Sequence, residues 1–282
     1  MSSLVSIVTP SFNQRCFVEQ TLQSVLEQDY PSTEYIVMDG GSDDGSVEVI
    51  QRYASRLAYW RSQPDGGQAA AIAQGFARAQ GQIHAYINSD DLYLPGALRA
   101  VSDFFRAHPD VELVAGNTLI IDANENILGV RWAVPVTLGE LLHEGTPFCQ
   151  VGCFWRASAA RRAGGFDPSF RFCMDYDFFV RLLETGARMA VIDRYLAAYR
   201  VHREAKSSTI RPVSLQERER IRSRYPSPPA SKVERLKTQV RWRMLLRARR
   251  KQAGILLRGG PWKCWNRPGL MSVEEFIRRH GP

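Results

Sequence analysis

Short apolar segments alternate with amphipathic segments over the first 95 residues of this 282-residue chain. The apolar segments include LVSIVTP, EYIVMDGG, LAYWRSQ and IHAYINS, and the segments between them carry apolar residues at helical spacing. Strands that alternate with helices in this way favour a mainly parallel sheet with helices on both faces. The sequence therefore predicts an α/β fold.

Each of the four predicted strands ends in polar residues. These ends are Thr9–Asn13, Asp39–Ser42, Asp65–Gln68 and Asn88–Asp91. In an open parallel sheet, ligands bind beyond the carboxyl ends of the strands. Turn and helix-capping roles would explain any single loop, but four polar loops at one edge of a sheet indicate a binding site.

The chain lacks the glycine-rich loops that hold phosphates in two large classes of nucleotide-binding protein. The loop after the first strand, TPSFNQRCF, has no glycine, and no Gly-x-x-x-x-Gly-Lys-Ser/Thr segment is present. A bound diphosphate would need another positive charge beside it. The adjacent carboxylates Asp90 and Asp91 are typical ligands of a Mg²⁺ or Mn²⁺ ion shared with substrate phosphates. The alternative is a pair of solvated turn aspartates.

Six segments within residues 4–206 together resemble the family 2 inverting glycosyltransferases, which have the GT-A fold. In chain order they are VSIVTPSFNQ, YIVMDGGSDDGS, DGGQAAAIAQGF, GQIHAYINSDDLYLPGAL, GGFDPSFRFCMDYDFFVRL and YRVH. The resemblance implies a Rossmann-like, mainly parallel GT-A sheet, a nucleotide-diphosphate sugar donor and a divalent cation, Mn²⁺ or Mg²⁺. One departure is Ala73-Gln74, where many relatives carry an Asn, so no donor contact is assigned to these two positions.

The resemblance also assigns the donor's nucleoside to the first three loops. It implies that Asp39 recognises the nucleobase and that Thr9, Pro10 and Phe12 pack against it. Gln68, in the third loop, is a further expected donor contact. Because a carboxylate suits the imide of uracil or thymine, a UDP- or dTDP-sugar is the favoured donor, and guanine stays open as the alternative base.

By the same resemblance, residues that follow the fourth strand and the YRVH segment are expected to contact the donor's ribose and diphosphate. Asp90 is expected to contact the ribose, and Asp91 to bind the metal. Arg200 is expected at the donor, and His202 to close over the diphosphate as a further metal ligand.

The catalytic base of the family opens a helix of the form Asp-x-x-hydrophobic-x-Arg, which corresponds here to Asp175. Asp177 lies close by, but two positions on a helix differ by about 200°, so only one of the pair faces a given site. We favour Asp175 because it lies at the helix start, near the positive end of the helix dipole. Asp177 is expected to face solvent or to pair with Arg181.

Residues for the acceptor are sought between the two halves of the catalytic region. Gln150 and Trp155 are the candidates, because amides donate hydrogen bonds to sugars and aromatic rings stack on them. Aromatic side chains in such a segment also commonly belong to a core, and that alternative stays open for Trp155.

Charge divides the chain near residue 210. Residues 1–210 hold 18 Lys and Arg against 24 Asp and Glu, whereas residues 211–282 hold 19 against 5. We therefore expect a catalytic domain over residues 1–210, with a nucleotide-binding half (1–95) and an acceptor half (96–210), followed by a basic helical tail over 211–282. No nucleic-acid-binding motif accompanies the basic charge, so no nucleic-acid partner is expected.

The tail has the composition of a helix that lies on a surface. Its apolar residues Val233, Leu236, Val240 and Met244 approach helical spacing, with Trp242, Trp262 and Trp265 interspersed among basic residues. This pattern is typical of a helix on an anionic membrane. The alternative is a helix that covers the catalytic domain.

The cell compartment is inferred from cysteine usage and from the apolar segments. The five cysteines form no Cys-x-x-Cys pair, which indicates reduced thiols. No apolar run approaches the roughly 20 residues that span a bilayer, and the N-terminal segment has no basic leader. We expect a cytoplasmic protein, peripheral on the inner face of the membrane.

Together these features predict a metal-dependent inverting glycosyltransferase that acts on a glycan or lipid-linked acceptor in cell-surface polysaccharide biosynthesis. Two alternatives stay open. A nucleotidyltransferase would share the sheet and the metal carboxylates, but its first loop should be rich in glycine and carry Lys or Arg. A non-catalytic scaffold that binds glycans or membranes could keep the same fold.

Overall fold

A computed structural model describes residues 3–202, 211–226, 228–257 and 271–280. Over these ranges the chain forms a nine-stranded sheet covered by helices. The strands are β1 Val5–Ser11, β2 Thr33–Asp39, β3 Tyr59–Ser62, β4 Ile83–Tyr86, β5 Leu92–Tyr93, β6 Leu113–Ile121, β7 Ile127–Arg131, β8 Cys153–Arg156 and β9 Met189–Arg200. The helices are α1 Val18–Leu26, α2 Ser46–Arg52, α3 Gln68–Phe76, α4 Ala97–Ala107, α5 Leu138–Glu144, α6 Ala157–Arg162, α7 Met174–Glu184, α8 Arg211–Arg222, α9 Ala230–Leu257 and α10 Val273–His280.

The sheet order is β3-β2-β1-β4-β8-β6-β9-β5, and β7 pairs with β6. The first four strands are parallel, as the strand–helix alternation predicted. The second half of the sheet is mixed, because β8 runs antiparallel to both β4 and β6 while β9 is parallel to β6. The parallel half brings the carboxyl ends of β1 to β4 to one edge, which is where the polar loops lie.

Apolar packing on both faces of the sheet explains why β1 is buried along its whole length. On one face, residues of α1, α2 and α4 pack against the sheet, with Leu22, Val49 and Leu98 at the centre of the cluster. On the other face, α3 and α7 pack together with Phe166, and Phe178 is fully buried there. The two clusters hold the loops at the sheet edge between them.

The strands β6 and β7 form the hairpin predicted around residues 122–126. Asp122 organises its turn, because one carboxylate oxygen accepts backbone N–H bonds from Asn124 and Asn126 at 2.8 and 2.9 Å. The hairpin matters for the site because β7 forms one wall of the cavity described below.

The helices of the basic tail pack against the rest of the chain. Ile221 in α8 and Val240 in α9 are fully buried in the same cluster as α7. Three arginines of α9 form ion pairs with carboxylates of the first 202 residues: Arg241 with Glu144, Arg243 with Glu140 and Arg247 with Asp193. The described part of the tail therefore covers the catalytic region, as one of the two alternatives expected.

None of the described helices is long and apolar enough to cross a membrane. Trp262 and Trp265, which contributed to the membrane-surface pattern of the tail, lie outside the described residues.

Candidate active site

A cavity of about 1500 Å³ opens at the carboxyl ends of the parallel strands. Its lining includes residues from all four polar loops and from the second half of the sheet: Pro10, Ser11, Phe12, Gly40, Asp65, Gln68, Asn88, Asp90, Cys149, Gln150 and Asp175. A cavity of this size accommodates a nucleotide and a sugar together. The binding site predicted at this edge of the sheet therefore has a well-formed concave counterpart.

The first loop presents Pro10 and Phe12 to the cavity, and the ring of Phe12 is 60% exposed. Thr9 differs from its expected role. It is fully buried, and its hydroxyl is hydrogen-bonded to the phenol oxygen of Tyr35 at 2.9 Å. The contact with a nucleobase expected from Thr9 is therefore not supported, since the side chain braces β1 against β2 instead.

Asp39 is also fully buried and does not line the cavity. One carboxylate oxygen accepts bonds from the backbone N–H of Gly41 and Ser42 and from the hydroxyl of Ser62, at 2.7–3.0 Å. The other accepts the hydroxyl of Ser42 at 2.6 Å. Because these protein donors occupy the carboxylate, the structure shows Asp39 as the organiser of the second loop rather than as an open nucleobase contact.

The amide side chains at the cavity floor form hydrogen bonds that hold neighbouring loops together. Gln68 donates from Nε2 to the Oδ1 of Asn88 at 2.7 Å, which joins the third and fourth loops. Gln150 donates from Nε2 to the carbonyl oxygen of Tyr86 at 2.8 Å. Both residues line the cavity, as expected for ligand contacts.

Asp90, which lines the cavity, contacts His202, whose side chain is 6% exposed and is not part of the lining. The Nε2 of His202 lies 3.0 Å from the Oδ2 of Asp90, and Asp90 is among the lining residues. The ring of His202 packs on Phe17 with ring centroids 4.7 Å apart. The pair predicted to flank the donor's ribose and diphosphate is thus assembled from two segments that are 112 residues apart in the chain.

Asp91 is not in this pair. It is 1% exposed, and its Oδ1 accepts the backbone N–H of Arg200 at 2.9 Å while its Oδ2 accepts the Nδ2–H of Asn88 at 3.2 Å. Burial and the neighbouring Asp90 carboxylate raise the pKa of Asp91 well above its usual range. The metal-binding role expected from Asp91 is not supported, because its oxygens are engaged inside the protein and only Asp90 faces the cavity.

Arg200 likewise departs from its expected contact with the donor. It is 1% exposed, and its guanidinium donates to the carbonyl oxygens of Asp90 and Ala123 and to the Oε1 of Gln20, at 2.8–3.0 Å. The side chain lies under the fourth loop and outside the cavity lining. Arg200 therefore positions Asp90 by donating to its backbone carbonyl oxygen, and it does not line the ligand cavity.

Asp175 and Asp177 separate as the helical spacing predicted. Asp175 is half-buried in the second position of α7 and lines the cavity. Asp177 is fully buried on another face, in ion pairs with Arg181 at 2.7 Å and with Arg224 at 2.6 Å. The expected pairing with Arg181 is correct, whereas the expectation that Asp177 faces solvent is wrong, because α8 and the residues after it cover that face.

Trp155 is fully buried in β8 and does not line the cavity. Its ring packs against Phe178 and Phe166, with centroids 4.9 and 5.9 Å apart. The expected acceptor contact is therefore wrong for this residue, and the alternative of a core role is correct. Alternation along a strand places one face toward the helices, and Trp155 lies on that face.

Glu217 is a site-supporting residue that the sequence did not reveal. It is 8% exposed in α8, and its carboxylate accepts the backbone N–H groups of Arg171, Phe172 and Cys173 at 2.7–2.9 Å. These residues lead directly into α7, whose N-cap residue Cys173 makes no side-chain cap. Glu217 therefore caps from outside the helix that carries Asp175. The one sequence signal for the burial of Glu217 is that it lies four residues before the apolar Ile221, and so on the same face of a basic helix.

Comparison with known proteins identifies the family. Residues 6–162 match the profile of glycosyl transferase family 2, and residues 85–273 match that of glycosyl transferase family group 2. The chain belongs to glycosyl transferase family 2. It is a glycosyltransferase, as the six segments predicted.

Two bacterial members of the family show how far the similarity extends. An uncharacterized glycosyltransferase of Mycobacterium tuberculosis is 30% identical over 179 residues, which cover 63% of this chain and 68% of that protein. A Bacillus subtilis glycosyltransferase named for teichuronic acid biosynthesis, TuaG, is 27% identical over 210 residues, 73% of this chain and 82% of that protein.

Solved structures share the fold at low sequence identity. The S. aureus protein TarS 1–349, crystallised with UDP-GlcNAc, superposes with a TM-score of 0.64 at 16% identity, over 84% of this chain and 71% of that one. The mannosyltransferase PcManGT of Pyrobaculum calidifontis, in complex with GDP-Man and Mn²⁺, gives 0.62 at 20% identity, over 93% and 77%. These likenesses confirm the predicted GT-A-type α/β fold of the family 2 glycosyltransferase.

We predict that Glu217→Gln lowers the free energy of unfolding by about 1–3 kcal/mol, because an amide cannot accept all three N–H bonds and leaves buried donors unsatisfied. Urea denaturation of the full chain measures the loss. Glu219→Gln is the matched control, since Glu219 is exposed on the same helix. Equal stability of the two variants would contradict the capping role.

Proposed function

We propose that this protein transfers a sugar from a nucleoside-diphosphate donor to a glycan or lipid-linked acceptor, with inversion, during cell-surface polysaccharide biosynthesis. The observation that carries the proposal is the shared cavity in which Asp90, beside His202, and Asp175 come together. Membership of glycosyl transferase family 2 supports the reaction class, and similarity to a protein named for teichuronic acid biosynthesis supports the pathway class. In this proposal residues 1–210 form the catalytic domain and residues 211–282 form a basic tail, whose helices α8 and α9 brace that domain.

Asp175 acts as the base in this proposal. It removes the proton from the acceptor hydroxyl as that oxygen attacks the anomeric carbon from the face opposite the nucleoside diphosphate. A single displacement inverts the anomeric centre, whereas retention requires a second carboxylate as nucleophile on the other face of the sugar. Its location at the start of α7, with Glu217 holding the preceding backbone, keeps the Asp175 carboxylate in the cavity wall.

We propose that Asp90 and His202 bind a divalent cation. Asp90 thus replaces Asp91 in the metal site expected from the sequence, and His202 is retained. A carboxylate oxygen that lines the cavity and an imidazole nitrogen 3.0 Å from it are a suitable donor set for Mn²⁺. Within the described ranges no three His, Cys, Asp or Glu side chains cluster as a metal site, which fits a cation that takes its other ligands from substrate phosphates and water. When bound, such a cation supplies charge stabilisation to the departing diphosphate.

For the donor we propose a UDP- or dTDP-sugar that rests its base against Pro10 and Phe12. The solved TarS neighbour bound to UDP-GlcNAc supports a uridine donor, while PcManGT binds GDP-Man. In this proposal Gln68 also contacts the donor, and Gln150 contacts the acceptor; both residues line the cavity with Asp175.

We further propose that the cytoplasmic enzyme contacts the anionic inner face of the cell membrane through α9. Trp242 and Leu246 are 57% and 47% exposed, and they lie on one face of the helix with Arg235 and Arg249. The opposite face is the one that packs on the catalytic region through Val240. A stripe of exposed tryptophan, leucine and arginine suits the boundary of an anionic bilayer.

We predict that Asp175→Asn lowers turnover by about 10²–10⁴-fold, since the acceptor proton loses its base, while nucleoside-diphosphate affinity stays within the range of the parent protein. The assay measures release of nucleoside diphosphate from a panel of nucleotide sugars, with Mn²⁺ and a membrane glycolipid extract as acceptor source. Glu184→Gln, at the exposed end of α7, is the matched control. Turnover near that of the control would refute the base assignment.

We predict that Asp90→Asn and His202→Gln each lower the Mn²⁺-dependent part of nucleoside-diphosphate affinity by about 10–100-fold. Titration calorimetry with UDP, dTDP and GDP, with and without Mn²⁺, measures the effect. Asp91→Asn is expected to lower the melting temperature instead, because it weakens the acceptor for the Arg200 amide. A folded Asp91→Asn protein that alone loses the metal effect would reverse our assignment.

We predict that the double variant Trp242→Ser/Leu246→Ser lowers affinity for phosphatidylglycerol vesicles at least ~10-fold, because each side chain buries apolar surface worth about 1.5–3 kcal/mol. Vesicle co-sedimentation measures the affinity, with Leu215→Ser, an exposed leucine of α8, as control. Binding that is unchanged in the double variant, or equal on phosphatidylcholine vesicles, would count against membrane contact.

A further inference from the structure

Part of the cavity lining has no role in the assignments above. It comes from three separate segments: the end of β7, which contributes Arg131; α8, which contributes Arg218; and α9, which contributes Met244 and Leu245. This part of the lining therefore combines two guanidinium groups with apolar side chains.

Arg218 is held close to the base helix. Its guanidinium carbon lies 5.3 Å from the ring centroid of Tyr176, the residue that follows Asp175. Its Nε is buried and has no protein acceptor in the described part of the chain. The neighbouring Glu217 does not serve as a counterion, because its oxygens accept the three backbone N–H bonds before α7. A half-buried guanidinium thus lines the cavity, and no carboxylate among the described residues forms an ion pair with it.

Arg131 is exposed at the end of β7 and lines the cavity. Cys149 and Asp175 line the same cavity. No ion pair links Arg131 to a carboxylate among the residues described.

The parts of the chain that line the cavity differ in charge. The donor loops present Asp65 and Asp90, which suit a cation and a sugar nucleotide, whereas β7 and α8 present Arg131 and Arg218. Arg218 is half-buried, and a guanidinium in a partly desolvated wall is costly unless an anion pairs with it. Arginine binds carboxylates and phosphates through two parallel N–H bonds, which gives geometric selectivity as well as affinity.

We propose that Arg131 and Arg218 form an anion-binding subsite that recognises a carboxylate or phosphate group on the acceptor. The inference rests on the proposed function, since it places the charged group of the acceptor against the part of the cavity wall that β7 and α8 supply. The acceptor is then an acidic glycan, or a glycan linked through a phosphate, and its charged group sets the orientation of the hydroxyl that meets the base.

Three probes of matched size test the subsite by calorimetry on the full chain saturated with Mn²⁺ and UDP: a uronic-acid oligosaccharide, its carboxyl-reduced neutral counterpart, and an oligomer of glycerol phosphate. We expect at least one anionic probe to bind about 10–100-fold more tightly than the neutral one. Arg131→Gln and Arg218→Gln should each remove most of that preference. The uronic-acid and glycerol-phosphate arms distinguish a carboxylate acceptor from a phosphate acceptor.

Arg220→Gln is the matched control, because Arg220 lies on the same helix and packs over Phe170 with a hydrogen bond to Ser169. Because Arg131 is exposed on a hairpin strand, Arg131→Gln is expected to fold normally, and it keeps the test valid if Arg218→Gln does not fold. Equal affinity for the anionic and neutral probes would overturn the inference, as would an equal loss for all three probes or a loss of UDP affinity in both variants. Parent protein that binds none of UDP, dTDP and GDP would instead refute the proposed function.

Discussion

The buried guanidinium of Arg200 holds the catalytic end of this structure together. A charged group with 1% exposure is tolerated only when its donors are satisfied. Here they bind the fourth loop at Asp90, the hairpin turn at Ala123 and the side chain of Gln20 in α1, while Phe17 covers the guanidinium face at 4.8 Å. The backbone N–H of the same residue binds Asp91. This one residue therefore sets where β9 ends, and so where His202 meets Asp90.

The two adjacent aspartates, Asp90 and Asp91, have different roles in the structure. Two neighbouring carboxylates repel each other, and the structure separates them by turning Asp91 inward to protein N–H donors and leaving Asp90 at the cavity. The inward group anchors the loop, and the outward group is available to a ligand. A sequence shows that two carboxylates are adjacent, but not which of them points inward, because that depends on a backbone N–H supplied 109 residues later.

Sequence patterns predicted the parallel half of the sheet, the polar edge and the base helix, because these depend on local periodicity and on strand ends. They failed where a distant partner decides the outcome. Trp155 was predicted to contact the acceptor, but its ring packs against Phe178 of α7. The Asp39 carboxylate accepts a hydrogen bond from Ser42 in its own loop, and the Thr9 hydroxyl is hydrogen-bonded to Tyr35 in β2. Glu217 was missed because its three partners lie 44 to 46 residues away.

The charge asymmetry of the chain also has an internal explanation. Arginines of α9, and Arg224 just after α8, pair with carboxylates of the acidic catalytic region, including the fully buried Asp177. Part of the basic tail is therefore matched to the surface it covers, and it brings Glu217 and Arg218 to the helix that carries Asp175. The charge of the sequence therefore changes sign near residue 210, but residues on the two sides of this boundary pack together.

The most direct test of this account is the anomalous diffraction of a crystal grown with Mn²⁺ and a nucleoside diphosphate. We predict a manganese peak within bonding distance of Asp90 and His202, with the diphosphate between that ion and the wall that carries Asp175, and with Asp91 still bound to the Arg200 amide. A peak bound to Asp91 and away from Asp90, or a nucleotide bound outside this cavity, would contradict the account.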